Sequence, residues 1–252
     1  DSLRDVTAAR KLHNRVVELD PSNIDARMMQ GVLDYIVGSL PFHYRMLGFL
    51  AGFHGDRAAG IPTVRVVAEK GEWNKVDAEI LLGVVARRER RPQDAVPICE
   101  SLRLRFPRNF LILFELSQMY ADLGDKDKAW KALDRVEELK HSGAAGFAPL
   151  PLERIEFARG NLLFWYDEPE RALTHLRKAT ASSQVLDPNS GVTSWLRLGQ
   201  SLDLLNRRQE AKLAYQSAMR YWPASDEAKM AKRYLSRPFT SDEKRAMSEV
   251  KE

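Results

Sequence analysis

The sequence predicts an all-α fold, an α-solenoid in which antiparallel helix pairs stack into a right-handed superhelix. Apolar residues recur at spacings of three and four, which is typical of helices that bury one face. The pattern itself recurs with a period of 34 residues over residues 76–143. Small residues take the same place in each copy, as is required where two helices cross closely.

The clearest copy covers residues 192–225 and predicts two helices that end at a proline. Its matching positions are Trp195, Leu198, Gly199, Leu202, Ala211, Tyr215, Ala218 and Pro223. These residues resemble the tetratricopeptide repeat (TPR) pattern, with Leu202 in place of the usual tyrosine and Tyr215 in place of the usual phenylalanine. The resemblance implies a TPR-type α-solenoid that binds other proteins.

Four regular repeats follow from this phase, at residues 76–109, 110–143, 153–186 and 192–225, with a spacer at 144–152. A small residue on each first helix is expected to face an alanine on the second helix. The four expected pairs are Gly83 with Ala95, Ser117 with Ala129, Gly160 with Ala172 and Gly199 with Ala211. Arg159 departs from the pattern, because an apolar residue is expected there.

The two ends of the chain are less regular, yet we expect residues 1–252 to form a single TPR solenoid. Residues 1–21 are assigned as a half-repeat, and residues 22–75 as a repeat interrupted by an insertion at 38–55. Residues 187–191 are assigned as a turn. Residues 226–252 are assigned as C-terminal capping helices, and Thr240 with Glu243 forms a capping-box pattern for the last one.

The interrupted repeat also resembles a narrower family, that of tetratricopeptide repeat protein 39 and the yeast Iml2 inclusion-clearance protein. The resemblance covers residues 24–124 and depends on Leu40-Pro41, the run from Gly52 to Arg57, Gly60-Ile61, and Pro107-Arg108-Asn109. It implies an intracellular adaptor without an active site.

Composition excludes several classes of protein. Lys plus Arg is 39 against 35 for Asp plus Glu, and no long run of basic residues occurs, so no nucleic-acid partner is expected. Cys99 is the only cysteine, which excludes an intramolecular disulfide. No apolar run reaches the ~18 residues of a transmembrane segment. We expect a soluble protein, cytoplasmic or, if a signal peptide was removed, periplasmic.

The residues that could support catalysis lack a catalytic pattern. The five histidines do not share metal-ligand spacing, and His54 beside Asp56 is expected to be a loop histidine. Cys99 falls at a core position, where a thiol is expected to be unreactive. We therefore expect a non-enzymatic protein with no catalytic, cofactor-binding or metal-binding residues.

The concave groove of the solenoid is where we expect binding. First helices line it, and three of them have an amide at the same repeat position, which could pair with the backbone of an extended peptide. Aromatic residues beside the amides supply apolar contact area. The candidate residues are Phe114, Gln118, Phe157, Asn161, Trp165 and Gln200. A clamp for a C-terminal carboxylate is not expected, because Ile80, Val84 and Phe114 replace its polar residues.

Two alternatives to this ladder of amides stay open. The amides could simply solvate the groove, or the chain's own segment 240–252 could occupy it in place of a partner. The insertion supplies a third possibility, since a short helix from Pro41 would present Phe42, Leu47, Phe49 and Phe53. That helix is expected to pack on the stack, either capping its core or docking a partner. The main hypothesis is a peptide-binding scaffold; the alternative is an accessory subunit that docks to an enzyme or membrane complex through residues 38–55.

Overall fold

The computed structural model describes residues 2–50 and 55–249, together with the side chains of residues 5–46 and 55–249. Within these ranges all regular secondary structure is helical, which confirms the all-α prediction. The chain forms two compact units, residues 1–98 (unit 1) and 99–252 (unit 2), with the division inside one helix. The single solenoid over residues 1–252 stays a prediction.

Unit 1 contains a helix for each predicted segment. Its helices are α1 Ser2–Leu19, α2 Arg27–Gly38, α3 Phe42–Leu50, α4 Arg57–Lys70, α5 Lys75–Arg88 and the first part of α6 Pro92–Arg105. Unit 2 continues with α7 Phe110–Asp122, α8 Lys126–His141, α9 Leu152–Trp165, α10 Pro169–Ala181, α11 Pro188–Leu204, α12 Arg208–Tyr221, α13 Asp226–Ser236 and α14 Ser241–Glu249.

In unit 1, α2 and α4 form an antiparallel pair that crosses closely through glycines. A Cβ atom on Gly31 would overlap Val64, and a Cβ atom on Gly60 would overlap the backbone of Tyr35. Since Gly38 meets Arg57, the contacts run in opposite directions along the two helices. The two helices can approach this closely only because these positions lack side chains.

Asp25, just before α2, fixes the turn that leads from α4 into α5. Its carboxylate accepts the backbone N–H groups of Glu72 (3.0 Å), Trp73 (3.2 Å) and Asn74 (2.8 Å). These donors have no partner within the helix that follows, so the side chain of Asp25, in the turn before α2, satisfies them. The contact joins the beginning of α2 to the beginning of α5.

Unit 2 contains two rows of helices. We call α7, α9, α11 and α13 the first-helix row, because each contacts the next, and α8, α10 and α12 the second-helix row. The first three of these, α7, α9 and α11, also pack on the second helix that follows each of them. Leu133, Leu163, Leu176 and Tyr215 are completely buried between these helices. This is the antiparallel hairpin arrangement that the 34-residue period predicts.

The small residues of unit 2 lie at helix crossings, but their nearest neighbours differ from those expected. A Cβ atom on Gly160 would come within 2.7 Å of Leu176, and one on Gly199 would overlap the ring of Tyr215. The glycines thus make room for a large residue one turn beyond Ala172 and Ala211. The large side chains of Leu176 and Tyr215 therefore fill the space that the missing Cβ atoms leave.

The spacer and the predicted turn at 187–191 are both more ordered parts of the fold than expected. In the spacer, Phe147 and Leu150 are buried, and the ring of Phe147 lies 6.2 Å from that of Phe110. The turn assignment is wrong, because α11 begins at Pro188. Asp187 caps this helix by accepting the backbone N–H of Ser190 at 2.9 Å.

Arg159 departs from the repeat pattern because it joins α9 to α8. Its guanidinium forms ion pairs with Asp134 (2.6 Å) and Glu137 (2.8 Å) and lies 5.2 Å from the ring of Trp130. A buried arginine is tolerated where carboxylates and an aromatic face replace its lost hydration. The charge at an apolar repeat position is therefore satisfied.

Candidate functional site

The six groove candidates lie on three neighbouring helices of the first-helix row. Phe114 and Gln118 lie one turn apart on α7, and Phe157, Asn161 and Trp165 follow the same spacing on α9. Five of the six are half-buried, but Gln200 on α11 is completely buried. The structure therefore places the α7 and α9 candidates at the surface and removes Gln200 from it.

The predicted ladder of three amides is wrong, because it needs all three at one surface and Gln200 is completely buried. Each amide also has a hydrogen-bond partner within the chain. Gln118 donates to Asp122 at 2.7 Å, one turn along the same helix. Asn161 and Gln200 each accept a hydrogen bond from Arg197, from its Nε at 3.1 Å and its Nη1 at 2.6 Å respectively. Two of the three amides thus hold an arginine of α11 rather than a ligand.

Arg197 is the centre of the α9–α11 junction. Its guanidinium lies 4.8 Å from the ring of Phe164 and 4.8 Å from that of Trp165, within the range of cation–π contacts. Burial lowers the pKa of Arg197 to about 10, so the side chain stays charged at neutral pH. Trp165 is therefore covered on one face by an arginine.

Arg154 makes a second arginine–aromatic contact, between α7 and α9. Its guanidinium lies 5.5 Å from the ring of Phe114 and 5.8 Å from that of Phe157, and its Nη1 donates to Asp187 at 2.9 Å. Although burial opposes ionisation, hydrogen bonds from Ser190 together with the Arg154 charge hold the pKa of Asp187 below its ordinary value. The Arg154–Asp187 ion pair therefore places a guanidinium beside two aromatic rings.

Sequence reasoning identified the aromatic residues and overlooked Arg154 and Arg197. Both arginines belong to first helices, at the second and sixth positions of their repeats. A search for cations near predicted groove aromatics would have found them. We call Phe114, Gln118, Arg154 and Phe157 the α7–α9 surface.

The chain's own C-terminal segment contacts the other end of the row. Phe239 is buried with its ring 6.0 Å from that of Phe164, and the ammonium of Lys244 lies 5.2 Å from the same ring. This agrees with the alternative in which the chain itself occupies part of the groove. The α9–α11 junction is covered, whereas the α7–α9 surface has no described contact with this segment.

The docking candidates of the insertion belong to unit 1. The predicted short helix is confirmed as α3, but the expectation that Phe42 packs on the stack is wrong, because 69% of its surface is exposed. Tyr44 and Met46 are exposed as well. Leu47, Phe49 and Phe53 lie outside the described side chains. Phe42 begins this helix, which contacts α2.

Cys99 is the cysteine that could act as a nucleophile. Burial, followed by the charges of Glu115 and Glu100, raises the pKa of the Cys99 thiol to about 11, so the thiolate is scarce at neutral pH. Among the described residues, no three histidine, cysteine or acidic side chains converge on a possible metal position. His54 lies outside the described residues. None of the described helices combines the length and hydropathy needed to cross a bilayer.

Comparison with known proteins agrees with the repeat phase. Residues 80–144 match one family model described as tetratricopeptide repeat, and residues 193–225 match a second model with the same description. These ranges contain α7 and α8 and most of α11 with α12. No curated protein matches the chain. Tetratricopeptide repeats generally mediate protein–protein interaction, and residues 80–144 and 193–225 of this chain are similar to such repeats.

Proposed function

We propose that this protein is a non-enzymatic scaffold that binds an extended peptide segment of a partner protein on the α7–α9 surface. The observation that supports this most directly is the position of Arg154 across Phe114 and Phe157. Its side chain is 27% exposed, and Leu111 on the same helix as Phe114 is exposed by about half. Aromatic, arginine and apolar groups together are typical of the residues that dominate peptide binding.

Each group of this surface has a role that its chemistry suits. The rings of Phe114 and Phe157 can contact an apolar side chain of the peptide. The remaining donors of Arg154 can pair with a backbone carbonyl or a carboxylate of the peptide. Gln118 is joined only to Asp122, at the surface, so the pair can exchange its internal hydrogen bond for one to the peptide backbone.

A selection of peptides on the intact chain tests this function. A random peptide library would be displayed against the full-length protein, and the Kd of an enriched peptide would be measured by calorimetry. Phe157→Ala and Arg154→Ala should each weaken binding by about tenfold or more, as expected for central interface residues. Leu213→Ala, which removes an exposed apolar side chain on α12 away from this surface, is the control and should leave the Kd unchanged. Peptides that bind all four proteins equally well would refute the assignment.

A second candidate function is docking to an enzyme or membrane complex through α3. The exposed side chains of Phe42 and Met46 favour it, because they lie one turn apart and so share one face of the helix. Photo-crosslinking from position 42, compared with position 213, tests this candidate. A partner protein crosslinked at both positions, or at neither, would exclude α3 as the docking element.

A further inference from the structure

The last helix of the chain, α14, is held to the molecule without an apolar face. Lys244 is its only buried residue, with 4% of its surface exposed. Met247 is partly buried, whereas Ser241, Asp242, Arg245 and Ala246 are exposed. Most helices in proteins are stabilised by packing of an apolar stripe, and this one has a lysine in that place.

Burial of the Lys244 ammonium is costly, and its compensation is weak. The ammonium forms an ion pair with the carboxylate of Asp167, which follows α9, and contacts the face of the Phe164 ring at 5.2 Å. The Asp167 side chain is 87% exposed, so water competes for its charge. Taking a charge out of water is repaid only by excellent, well-buried partners. Lys244 therefore anchors α14 only loosely.

Phe239 is the apolar anchor of the segment. Its ring lies 5.2 Å from that of Tyr234 and 6.0 Å from that of Phe164, and its backbone N–H donates to Asp203 at 2.8 Å. Asp203 also accepts hydrogen bonds from Arg208 and from the hydroxyl of Tyr215 at 2.8 Å. Departure of Phe239 would therefore leave the buried Asp203 carboxylate paired and hydrogen-bonded.

The packing of α14 on α13 is incomplete. A cavity of about 370 Å³ lies between the two helices, lined by Arg233, Tyr234, Glu243, Ala246 and Met247. Glu243 of α14 forms an ion pair at 2.7 Å with Arg237, which lies in the connection between α13 and α14. Its ion pair with Arg233 of α13 is longer, at 3.8 Å. This space is a groove open to solvent, so α13 and α14 do not pack closely along it.

We propose that residues 239–249 are a displaceable occupant of the first-helix row, and that a partner replacing them presents an aromatic residue followed five positions later by a lysine or arginine. Displacement would uncover the part of the Phe164 ring that Phe239 and Lys244 contact, together with the exposed Asp167 carboxylate, while Arg197 keeps its own contact with that ring and Asp203 stays paired with Arg208. An apolar ring beside a carboxylate fits an aromatic anchor followed by a cation. The inference rests on the proposed function for one point, that the row binds peptides.

The peptide itself is the first probe. A synthetic peptide with the sequence of residues 236–249 would be titrated into the full chain and into the Phe239→Ala/Lys244→Glu variant, which weakens the internal occupant. We expect the peptide to bind the variant at least tenfold more tightly than the wild-type chain. The same peptide with Phe239→Ala should bind neither. Equal affinities for both chains, or no binding to the variant, would overturn the proposal.

Hydrogen exchange is the second measurement. Lys244→Glu should speed the exchange of α14 amides by tenfold or more, and adding Asp167→Lys should restore the slow rate. Arg245→Glu, the same charge reversal on an exposed neighbour, is the matched control and should change nothing. If Lys244→Glu also speeds exchange in α9 and α11, the segment is part of the core rather than displaceable, and the proposal is wrong.

The two binding tests fail in different ways. Suppose that Phe157→Ala does not change the Kd of the library peptides, while the 236–249 peptide still binds the Phe239→Ala/Lys244→Glu chain. The α7–α9 assignment is then wrong, and the proposal of a displaceable segment is supported. If library peptides depend on Phe157 but the 236–249 peptide never binds, the reverse holds.

Discussion

Single glycines decide how closely the helices of this protein approach each other. Gly83 and Gly199 take the same repeat position, yet their surroundings differ. A Cβ atom on Gly83 would meet only the Ile98 Cγ2 atom, at 3.9 Å, whereas one on Gly199 would overlap the buried ring of Tyr215. The repeat position by itself therefore does not fix the effect of a substitution.

Gly199→Ala should destabilise the protein, and Gly83→Ala should not. Overpacking against Tyr215 should cost about 1–3 kcal/mol. At Gly83 the better helix propensity of alanine should stabilise by up to about 1 kcal/mol. Thermal unfolding followed by circular dichroism measures both, and loss of stability in Gly83→Ala comparable to that in Gly199→Ala would contradict the packing described.

Asp203 is the residue on which the C-terminal end of unit 2 depends most. Its completely buried carboxylate pairs with Arg208 and accepts the Tyr215 hydroxyl, and burial together with this carboxylate raises the pKa of Tyr215 far above its ordinary value. Asp203→Ala leaves a cation and a hydroxyl unpaired and should cost about 3–5 kcal/mol. Asp167→Ala removes an exposed carboxylate from the buried Lys244 ammonium and should cost less than Asp203→Ala, because water can reach the position that the carboxylate leaves. Urea unfolding that ranks the two variants equally would contradict this account.

At the scale of elements, the connection from α4 to α5 depends on a carboxylate that belongs to neither helix. Burial opposes ionisation of Asp25, but hydrogen bonds from Asn74, Glu72 and Trp73 lower its pKa below the ordinary value of 3.8. A carboxyl group whose pKa is lowered in the folded state contributes its full stabilisation of the fold at pH values above its ordinary pKa. That stabilisation is lost as the pH falls through the lowered value.

Asp25→Ala should therefore destabilise unit 1 near neutral pH. The free energy of unfolding of the variant should also decrease less than that of the wild type as the pH falls. Loss of a capping carboxylate costs about 0.5–2 kcal/mol. Below the lowered pKa the variant and the wild type should converge, because the Asp25 carboxyl is then protonated in both folded and unfolded states. Denaturant midpoints measured from pH 7 down to pH 2 test this. Asp127→Ala is the control, because the Asp127 carboxylate makes no described hydrogen bond. If the stability difference between Asp25→Ala and the wild type persists unchanged at the lowest pH, this account of Asp25 is wrong.

On the scale of the whole molecule, stability should be distributed repeat by repeat. Leu176 is completely buried between α9 and α10, and each hairpin of unit 2 contacts its neighbours in the row. In such stacks a local loss of packing spreads mainly to adjacent repeats. Leu176→Ala should cost about 2–5 kcal/mol.

Amide exchange mapped along the chain would measure how far that loss spreads. In Leu176→Ala, amides of α9, α10 and α11 should exchange faster, while those of α2 and α4, which pack on each other in unit 1, should keep their rates. Uniform acceleration from α2 to α13 would mean that the chain unfolds as one unit.

The sequence by itself determined the helices, their pairing and the phase of the repeats. These features follow from local periodicity, from small residues such as Gly160 and Gly199, and from caps such as Thr240 with Glu243, all of which act between residues close in the chain. The reciprocal hydrogen bonds of that capping box, both at 3.3 Å, confirm the helix start predicted there.

Only the tertiary structure decided which groove residues face solvent. Gln200 has the right repeat position but is buried, because Arg197 occupies its oxygen and α13 follows beside it. Arg154 reaches Phe114 from the next hairpin, and Lys244 reaches Asp167 across 77 positions of sequence. Such contacts depend on where separate helices meet in space, and a periodic pattern contains no information about partners that far apart in the chain.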